Sequence, residues 1–476
     1  MNNSFDIYTH KRIAYYDEQA RSRDTRPGLG IYYRRRLAEI YRHLVPEGLR
    51  VIELGCARGS LLAALKPAYG LGIDLSEEMV KRARTAHPHL NFMRGDAHSL
   101  EIEEKFDAII LSDLLHDLWD VEAVFNNISK LAAPHTRIII NIYSRLWELP
   151  LKAAALSGLI PPRLEQNWLT VGDVSNMLYL RDIETISLRR EILWPLPGPF
   201  LNGLLNRGLV KIWPFSELAL SNFIVCRPMP KENVSEAPPV VSVVVPARNE
   251  AGNIASIFER TPQMGKSTEL IFVEGHSKDN TYETIEQEIA SHPKIRARLY
   301  RQPGNGKGDA VRLGFDKAAG DVLMILDADM TVAPEDLPRF YHALWSGKGE
   351  FINGVRLVYS MEDNAMYFFN QIGNKFFSLA FSWLLGQPIK DTLCGTKVIR
   401  KKDYETIAAN RAYFGDFDPF GDFDLLFGAA KLNLKIVEMP IRYRQRLYGT
   451  TNIHRWRHGW MLLKMAIFAA GRIKFV

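Results

Sequence analysis

Short apolar runs alternate with amphipathic segments along most of the chain of 476 residues. In the first half, the runs RVIEL, YGLGID and RIIINIY are separated by stretches whose apolar residues recur at helical spacing. The runs VVSVVVP, ELIFVE and DVLMIL repeat this arrangement in the second half. Such alternation is typical of α/β domains with mostly parallel sheets, whose ligands bind at the carboxyl ends of the strands. The pattern therefore predicts an α/β protein with two Rossmann-like domains.

A polar stretch rich in proline, RPMPKENVSEAPP, separates the two halves. An apolar strand follows it at once, which indicates a linker between two folded domains. We expect a first domain at 1–228, a linker at 229–239 and a second domain at 240–476.

The cysteine content and the apolar segments of the chain indicate the cellular compartment in which it works. Its three cysteines, Cys56, Cys226 and Cys394, suit neither a disulfide framework nor a zinc site, which favours a reducing compartment. The N-terminus lacks the apolar core of a secretory signal. No uncharged apolar stretch reaches the roughly 18 residues of a spanning helix. We expect a cytoplasmic protein without a transmembrane segment.

Positive charge is concentrated at the C-terminal end. The formal net charge is +6, but the last 38 residues hold eight Lys or Arg and no acid. Trp456, Trp460 and the apolar run at 459–471 are interleaved with these cations, which favours an anionic membrane surface or a phosphate ligand. A solvated basic tail and a nucleic-acid patch are the alternatives.

A glycine turn follows the run LRVIEL in the first half. Gly55 and Gly59 allow a tight turn and a close approach of the backbone to a ligand, and Glu53 lies two residues before Gly55. The next strand ends at Asp74, where a carboxylate can accept hydrogen bonds from both hydroxyls of a ribose. Ser76 is the expected cap of the next helix. A dinucleotide-binding domain would share this pattern.

With the segments NFMRGDAHSL, FDAIILSDLLHDLWD and RIIINIY, this turn resembles class I S-adenosylmethionine-dependent methyltransferases over residues 30–228. Asp113 and His116 are then the candidate catalytic residues on the acceptor side, beside Ser112, if the acceptor must lose a proton. A buried histidine without a chemical role is the alternative for His116. The resemblance implies that S-adenosylmethionine is bound by Glu53, Gly55, Gly59, Asp74, Asp96 and Ala97.

The second half contains four signals in order. The run VVSVVVP is expected to stop at Pro246, and Glu250 lies near the next helix start. The run ELIFVE ends in Glu274, and Asp279 follows in the turn before the next helix. In the third signal, QPGNGKGDAV, three glycines surround Lys307, which suits a phosphate group.

The fourth signal is the pair of aspartates that follows DVLMIL. If strand geometry persists, Asp327 and Asp329 point the same way, because side chains in a strand alternate with period two. Two carboxylates in one small space need a cation or a proton between them. Two solvated acids that cap a turn are the alternative.

These four signals in this order resemble a family 2 glycosyltransferase of the GT-A fold, from residue 240 to residue 460. The resemblance implies that Asp327 and Asp329 hold Mg²⁺ or Mn²⁺, which bridges the diphosphate of a nucleotide sugar. It assigns the nucleotide sugar to Pro246, Ala247, Glu250, Glu274, Asp279, Lys307, Asp327 and Ala328.

Two later segments make the second half similar to dolichyl- or undecaprenyl-phosphate sugar synthases. By this resemblance, Asp422 and Asp424 are the catalytic acidic pair near the acceptor. Arg444, Arg446 and Thr451 match the basic loop that clamps the acceptor phosphate. A phosphate acceptor is already largely ionised at neutral pH, so it needs cations more than a general base.

The segment 365–386 gives a second indication of membrane contact. Apolar residues cover most of its helical surface, and a polar stripe recurs every four positions. The stripe consists of Asn370, Asn374, Ser378 and Ser382. We expect this helix to rest in the headgroup region, and an ordinary buried helix is the alternative.

The sequence therefore predicts a bifunctional enzyme, peripheral on the inner face of the membrane and without a nucleic-acid partner. An S-adenosylmethionine-dependent methyltransferase of unknown acceptor is joined to a metal-dependent inverting glycosyltransferase whose expected acceptor is a polyprenyl phosphate. Three alternatives stay open. They are a soluble hydroxyl acceptor with Asp422 or Asp424 as base, a non-catalytic cofactor-binding first half, and a nucleotidyltransferase.

Overall fold

The computed structural model describes residues 3–21, 29–230, 237–356, 368–411, 422–442, 448 and 455–476. Two compact units make up the chain, Met1–Met229 with Phe475–Val476 and Pro230–Lys474. Within the described ranges, each unit contains a seven-stranded sheet with helices around it. The predicted fold class, α/β with two Rossmann-like domains, is confirmed.

The sheet of the first unit is mostly parallel. Its strands are β1 (Arg50–Leu54), β2 (Tyr69–Asp74), β3 (Asn91–Arg94), β4 (Phe106–Ser112), β5 (Ala132–Tyr143), β6 (Ile183–Glu191) and β7 (Ser221–Pro228). They lie in the order β3-β2-β1-β4-β5-β7-β6, and β7 is antiparallel to both of its neighbours. The direction of the strand order reverses between β1 and β4, which is where ligands bind in open α/β sheets.

Helices cover the sheet of the first unit because its central strands are apolar on both faces. The α-helices are α1 (Asn3–Arg21), α2 (Leu29–Leu44), α3 (Ser60–Ala64), α4 (Glu77–Ala86), α5 (Val121–Leu131), α6 (Glu148–Leu156), α7 (Val171–Tyr179) and α8 (Leu201–Gly203). Val51 and Ile52, neighbours in β1, lie in two different hydrophobic clusters, one on each face. Ser76 caps α4 as expected, since its hydroxyl accepts from Met79 N at 3.1 Å.

The second unit repeats the plan with one antiparallel strand. Its strands are β8 (Val240–Ala247), β9 (Ser267–Glu274), β10 (Arg296–Arg301), β11 (Val322–Ile325), β12 (Phe351–Val355), β13 (Lys397–Arg400) and β14 (Ile436–Pro440). They lie in the order β10-β9-β8-β11-β13-β12-β14, with β13 antiparallel to β11 and β12. The reversal falls between β8 and β11, so the run that precedes Asp327 ends at the expected ligand edge.

The helices of the second unit lie on both faces of this sheet. They are α9 (Ile254–Arg260), α10 (Thr281–Ser291), α11 (Lys307–Lys317), α12 (Leu337–Trp345), α13 (Phe368–Leu385), α14 (Lys401–Ala409), α15 (Asp422–Lys431) and α16 (Arg455–Ile473). Phe315 of α11 and Phe381 of α13 belong to one hydrophobic cluster, and Phe340 of α12 belongs to the other.

Two strand boundaries differ from the prediction. Pro246 does not end β8, because pairing with β9 continues through Pro246 to Ala247, whereas pairing with β11 stops at Val244. Proline lacks only the N–H donor, so the ladder on one side of the strand can continue. Strand β11 ends at Ile325, so Asp327 and Asp329 lie in the following turn rather than in a continued strand.

The polar stripe of α13 faces the protein where its side chains are described. Ser378 and Ser382 both donate to the carbonyl of Ile389, at 2.7 and 3.0 Å. The exposed side chains of the helix that are described include the apolar Phe376, Leu379 and Trp383 and the charged Lys375. The side chains of Asn370 and Asn374 lie outside the described part of the chain. Among the residues that the structure describes, no helix is both long enough and apolar enough to cross a bilayer.

Candidate active sites at the two strand-order reversals

The glycine turn of the first unit lies where β1 meets α3. Gly55 N donates to Ile73 O at 2.8 Å, and both Gly55 and Gly59 have φ of 72°. A Cβ atom at Gly55 would lie 2.8 Å from Leu114 Cδ1, and one at Gly59 would lie 2.5 Å from Phe92 Cζ. Glycine is required at both positions by backbone conformation and by space.

Asp74 lies at the end of β2 and holds the glycine turn in place. Its two carboxylate oxygens accept from Ala57 N at 2.8 Å and from Ser76 N at 2.9 Å. Burial raises the pKa of Asp74 above its usual value, and the nearby Asp17 adds to this effect. Each oxygen retains a second lone pair, so the carboxylate fits a ligand that brings hydroxyl donors.

Glu53 is buried under the start of α3. Its Oε2 accepts from Leu62 N at 3.0 Å, and burial raises the pKa of the carboxyl to about 8. This environment places Glu53 among the supports of the glycine turn.

Asp96 and Ala97 follow β3 at the same edge. Asp96 Oδ1 accepts from His98 N at 2.9 Å and contacts His98 Nδ1 at 2.6 Å. Burial opposes ionisation, but these hydrogen bonds hold the pKa of Asp96 below its usual value. The carbonyl of Ala97 accepts from Asn127 Nδ2 at 3.1 Å.

Asp113 directly follows β4 and is surrounded by polar partners. Tyr33 OH lies 3.0 Å from each carboxylate oxygen, and Asn141 Nδ2 also donates to this carboxylate. Burial raises the pKa of Asp113, although these hydrogen bonds and His116 oppose the rise. Asp113 has a φ of 53°, a conformation that is uncommon outside glycine and is often found at functional sites.

Tyr33 and Asn141 did not emerge as site residues from the sequence. Asn141 is the one polar residue inside the apolar run IIINIY, and that break was the available signal. Tyr33 carries no such signal, because it lies 80 positions before Asp113 on an ordinary amphipathic helix.

His116 is buried, and both of its ring nitrogens contact the backbone. Nδ1 lies 3.0 Å from the carbonyl of Asn167, and Nε2 accepts from Tyr143 N at 2.9 Å. The ring stacks on that of Tyr143 with centroids 4.5 Å apart. Burial lowers the pKa of His116, which keeps the imidazole neutral. These contacts favour the structural interpretation of His116 over a role as base.

Helix α1 lies across this edge of the sheet, which the sequence did not indicate. Asp17 Oδ1 accepts from the Ser76 hydroxyl at 2.5 Å, after β2. Gln19 O accepts from Arg58 at 3.2 Å, in the glycine turn. Tyr16 OH donates to Asp117, after β4. One helix therefore contacts the loops that follow three neighbouring strands.

In the second unit, Lys307 and Asp327 form an ion pair at the carboxyl end of β11. Lys307 Nζ lies 2.5 Å from Asp327 Oδ1. A Cβ atom at Gly395 would lie 2.0 Å from Asp327 Oδ2 and 2.1 Å from Lys307 Nζ. Burial opposes ionisation of Asp327, but Lys307 holds its pKa below the usual value, with smaller help from Lys397 and Arg356.

The sequence did not assign Gly395, Arg356 or Lys397 to this site. Arg356 forms a two-pronged ion pair with the buried Asp391, with contacts of 2.7 and 2.9 Å. Lys397 is buried and donates to the carbonyl of Cys394. The segment DTLCGTKVIRK contains Asp391, Gly395 and Lys397, but a sequence cannot show that Gly395 and Lys397 lie near Asp327.

Asp329 has a different environment from Asp327. Its Oδ1 accepts from Thr331 N at 3.1 Å and from the Thr331 hydroxyl at 2.7 Å, so it caps the turn. Within the described ranges, no three His, Cys, Asp or Glu side chains lie close enough to hold a metal ion by themselves. Mg²⁺ often binds one or two carboxylates and completes its shell with phosphate oxygens and water. The donor chemistry of Asp327 and Asp329 fits a dication of this kind.

The other residues expected at the nucleotide lie at the ends of β8 and β9. Ala247 O accepts from Gly275 N at 2.9 Å, which joins the two strand ends. Glu274 is buried and accepts from Ser277 N. Pro246 is partly buried, and Ala328 is buried after β11.

Glu250 and Asp279 contact the helix starts that follow these strands. Glu250 Oε2 accepts from Asn253 Nδ2 at 2.7 Å, and Glu250 N donates to Thr281 Oγ1 at 3.0 Å. Asp279 Oδ1 accepts from Thr281 N at 3.2 Å, just before α10 begins.

The residues expected at the acceptor are only partly described. Asp424 is buried, and its Oδ2 accepts from Arg312 at 3.0 Å and from Arg411 at 3.1 Å. The backbone of Asp422 begins α15, but its side chain lies outside the described residues. The three residues of the predicted phosphate clamp lie wholly outside the described residues. They are Arg444, Arg446 and Thr451.

Two family models match the chain. Residues 51–135 match a methyltransferase domain, and residues 242–408 match glycosyl transferase family 2. The first range runs from β1 into β5, and the second runs from β8 into α14.

Similar curated proteins align with the second half. A dolichol-phosphate mannosyltransferase from Pyrococcus furiosus is 28% identical over 235 residues, 47% of this chain and 64% of that protein. An undecaprenyl-phosphate 4-deoxy-4-formamido-L-arabinose transferase from Pectobacterium carotovorum is 28% identical over 165 residues, 34% of this chain and 49% of that protein. The chain thus spans less than two thirds of the length of these relatives.

Solved methyltransferase structures resemble the chain more distantly. The N-methyltransferase NodS from Bradyrhizobium japonicum, solved with S-adenosyl-L-homocysteine, is 14% identical with a TM-score of 0.33. That likeness covers 45% of this chain and 97% of the other. The two family models fall on the two sheets, and the chain therefore combines a methyltransferase domain with a glycosyl transferase family 2 domain.

Proposed function

We propose that the chain is a bifunctional transferase. The second unit transfers a sugar, with inversion, from a nucleotide diphosphate to a polyprenyl phosphate. The first unit transfers a methyl group from S-adenosylmethionine to an acceptor not yet known. The observation that carries the proposal is the Lys307–Asp327 pair at the carboxyl end of β11, with Gly395 close to both side chains.

The electrostatics around Asp327 suit a diphosphate. Lys307 stabilises the ionised carboxylate of Asp327 directly, and Lys397 and Arg356, which is itself paired with Asp391, add smaller contributions. In the proposed donor complex, Lys307 turns from Asp327 to a phosphate oxygen, which Gly395 permits because it has no side chain. A divalent cation held by Asp327 and Asp329 would neutralise the leaving diphosphate.

A phosphate acceptor agrees with the surroundings of Asp424. This carboxylate already accepts from Arg312 and Arg411, so it is engaged in an ion-pair network rather than directed only at an acceptor hydroxyl. An ionised phosphate needs no general base. The relatives named for dolichol phosphate and undecaprenyl phosphate support the same choice.

A peripheral position on the inner membrane face is part of this proposal. Phe376 and Leu379 of α13, with Trp460 and Ile467 of α16, are exposed apolar side chains in the second unit. Helices α13 and α16 pack against each other. Lys464 lies next to the Trp460 ring, as expected of a helix at an anionic lipid surface.

The polar groups at the edge of the first unit support methyl transfer. Asp74 would accept from the ribose hydroxyls of S-adenosylmethionine, and the glycine turn would lie against its methionine part. Asp113 is held by Tyr33 and Asn141 and would take a proton from the acceptor. Bound S-adenosylmethionine supplies the electrophilic methyl group.

The proposal is tested on the full chain. The melting temperature of the transition that belongs to the second unit is measured with nucleotide sugars, with and without Mn²⁺. A ligand that binds the native state raises the melting temperature by mass action. We expect a rise that requires both the correct nucleotide sugar and Mn²⁺, and that is lost in Asp329→Ala.

The matched control is Glu283→Gln, which neutralises an exposed carboxylate on α10. It should keep the full Mn²⁺-dependent rise. If Asp329→Ala keeps the rise as well, the proposed metal site is wrong. If no nucleotide sugar raises the melting temperature of the wild-type chain, the proposed sugar transfer is wrong.

A further inference from the structure

Helix α1 contacts the loops that follow each of the parallel strands from β1 to β4. In its first half, the Phe5 ring meets the His98 ring, after β3, with centroids 5.4 Å apart. The Tyr8 ring meets the Trp119 ring, after β4, with centroids 5.0 Å apart. The second half of the helix contacts the loops after β1, β2 and β4. One helix therefore lies over the carboxyl end of each of these strands, where the candidate cofactor-binding residues are.

The middle of α1 also holds the segment that follows Asp113. Asp117 accepts from the Tyr16 hydroxyl and lies 3.7 Å from the Arg12 guanidinium. The same guanidinium donates to the carbonyl of Glu165 at 2.5 Å, in the stretch between α6 and α7. Arg12 is only 4% exposed, because these partners enclose it. Helix α1 therefore joins the candidate cofactor side of the edge to the candidate acceptor side.

Polar and ring contacts hold α1 in place, and it buries little apolar surface. Between residues 4 and 21, only Arg12 and Ala20 are buried. None of the described residues of α1 belongs to the two hydrophobic clusters that flank the sheet, whereas α2 contributes Leu37, Tyr41 and Leu44. A segment with few buried apolar contacts opens at a lower free-energy cost than global unfolding. Helix α1 is therefore suited to move while the sheet stays folded.

Asp17 of α1 places a second carboxylate beside Asp74. The hydroxyl of Ser76 donates to Asp17 Oδ1 at 2.5 Å, and its backbone N donates to Asp74 Oδ1 at 2.9 Å. Burial raises the pKa of Asp74, and the charge of Asp17 adds to the rise, because the two acids repel each other. A ligand that donates hydroxyl groups to this pair relieves the repulsion only while α1 is docked. Such a ligand therefore stabilises the docked position of α1.

We propose that α1 is a lid on the methyl-transfer site, which lifts to admit S-adenosylmethionine and closes over it. The inference rests on the proposed methyl transfer and adds to it a gate through which the cofactor enters and leaves. A ligand that binds along the glycine turn, Asp74 and Asp96 is enclosed between these loops and α1. The closed lid also bounds the acceptor side through Asp117, so it excludes water from the site during transfer.

The test pins the first half of α1 to the loop after β4. In the full chain, Tyr8→Cys and Trp119→Cys replace two rings in contact, and a short bismaleimide with a central disulfide joins the two introduced thiols after S-adenosylhomocysteine has bound. The native Cys56, Cys226 and Cys394 are buried, so the reagent reaches the introduced thiols. Release of labelled S-adenosylhomocysteine is followed by a chase with unlabelled ligand. We expect release to be at least ~10-fold slower in the linked chain and to recover when the disulfide is reduced.

A second variant keeps the rings of α1 and weakens only its docking. Tyr16→Phe removes the hydroxyl that donates to Asp117. A lid that opens more often admits and releases ligand faster, so both association and release of S-adenosylhomocysteine should be ~2- to 10-fold faster. A loss of affinity without a lid would raise the release rate alone. The matched control, Tyr179→Phe, removes an exposed hydroxyl on α7 and should change neither rate.

Three results would overturn the lid. Equal release rates before and after reduction, in a chain that binds S-adenosylhomocysteine, would show that the ligand leaves without movement of α1, and the proposed methyl transfer would stand. Faster release in Tyr16→Phe with unchanged association would assign α1 a structural role only. If the wild-type chain does not bind S-adenosylhomocysteine at all, the proposed methyl transfer is wrong, and the lid is wrong with it.

Discussion

The buried Glu53 makes the stability of the first unit depend on pH. Burial raises its pKa from the ordinary 4.5 to about 8, so the folded state retains a proton that the unfolded state loses at neutral pH. The contribution of Glu53 to stability is fully present below pH 4.5. It is lost progressively as the pH rises towards 8 and does not change further above that pH.

The size of the effect follows from linkage. One pH unit between the two pKa values corresponds to about 1.4 kcal/mol, so raising the pH from 5 to 7 should lower the free energy of unfolding by ~2–3 kcal/mol. Glu53→Gln replaces the protonated acid by a neutral group of similar shape that can still accept from Leu62 N. This variant should lack the Glu53 part of the pH dependence.

The assay is urea unfolding of the full chain at pH 5, 6, 7 and 8. The transition of the first unit is identified by its shift with S-adenosylhomocysteine. Other buried acids such as Asp74 contribute with the same sign, so the difference between the two slopes isolates Glu53. Glu47→Gln removes an exposed glutamate and should leave the slope unchanged. Equal slopes for the wild-type chain and Glu53→Gln would refute a buried, protonated Glu53.

Three further predictions concern the candidate sites. Gly395→Ala should lower sugar transfer ~100-fold, because the new methyl group would overlap Asp327 and Lys307; transfer within threefold of wild type would contradict the site. Asp74→Asn should weaken S-adenosylhomocysteine binding ~10-fold or more in calorimetry, since one carboxylate acceptor becomes a donor; unchanged affinity would exclude Asp74 from the cofactor site. His116→Phe should cost ~1–3 kcal/mol of first-unit stability in urea through two lost hydrogen bonds, while S-adenosylhomocysteine still binds.

Much of the local structure around the first candidate site could be predicted because its signals are local. A run of β-branched residues that ends in glycine defines both the strand and the turn, and Asp74 ends the next strand as expected. Helix α4 begins where Ser76 predicts, since capping depends on only four consecutive residues.

The remaining parts of the sites depend on contacts between distant positions. Arg356 and Asp391 are 35 residues apart, and Tyr33 is 80 residues from Asp113. No periodic pattern in the sequence shows that residues so far apart are in contact. Asp327 and Asp329 show a different limit of prediction from sequence. The apolar run before them predicts a strand that continues to these residues, but the strand ends at Ile325. Sequence gives the type of a segment more reliably than its last residue.

The contact between α13 and Ile389 has a consequence for the orientation of that helix. Ser378 and Ser382 lie one turn apart and use the same peptide unit, because Ile389 N also donates to the Ser382 hydroxyl at 2.8 Å. These bonds fix the rotation of α13 about its own axis. Phe381, Leu384 and Leu385 of the same helix are buried in the hydrophobic cluster, so apolar packing and the two hydroxyl groups act together. Together they select the stripe that Phe376, Leu379 and Trp383 present to the surroundings.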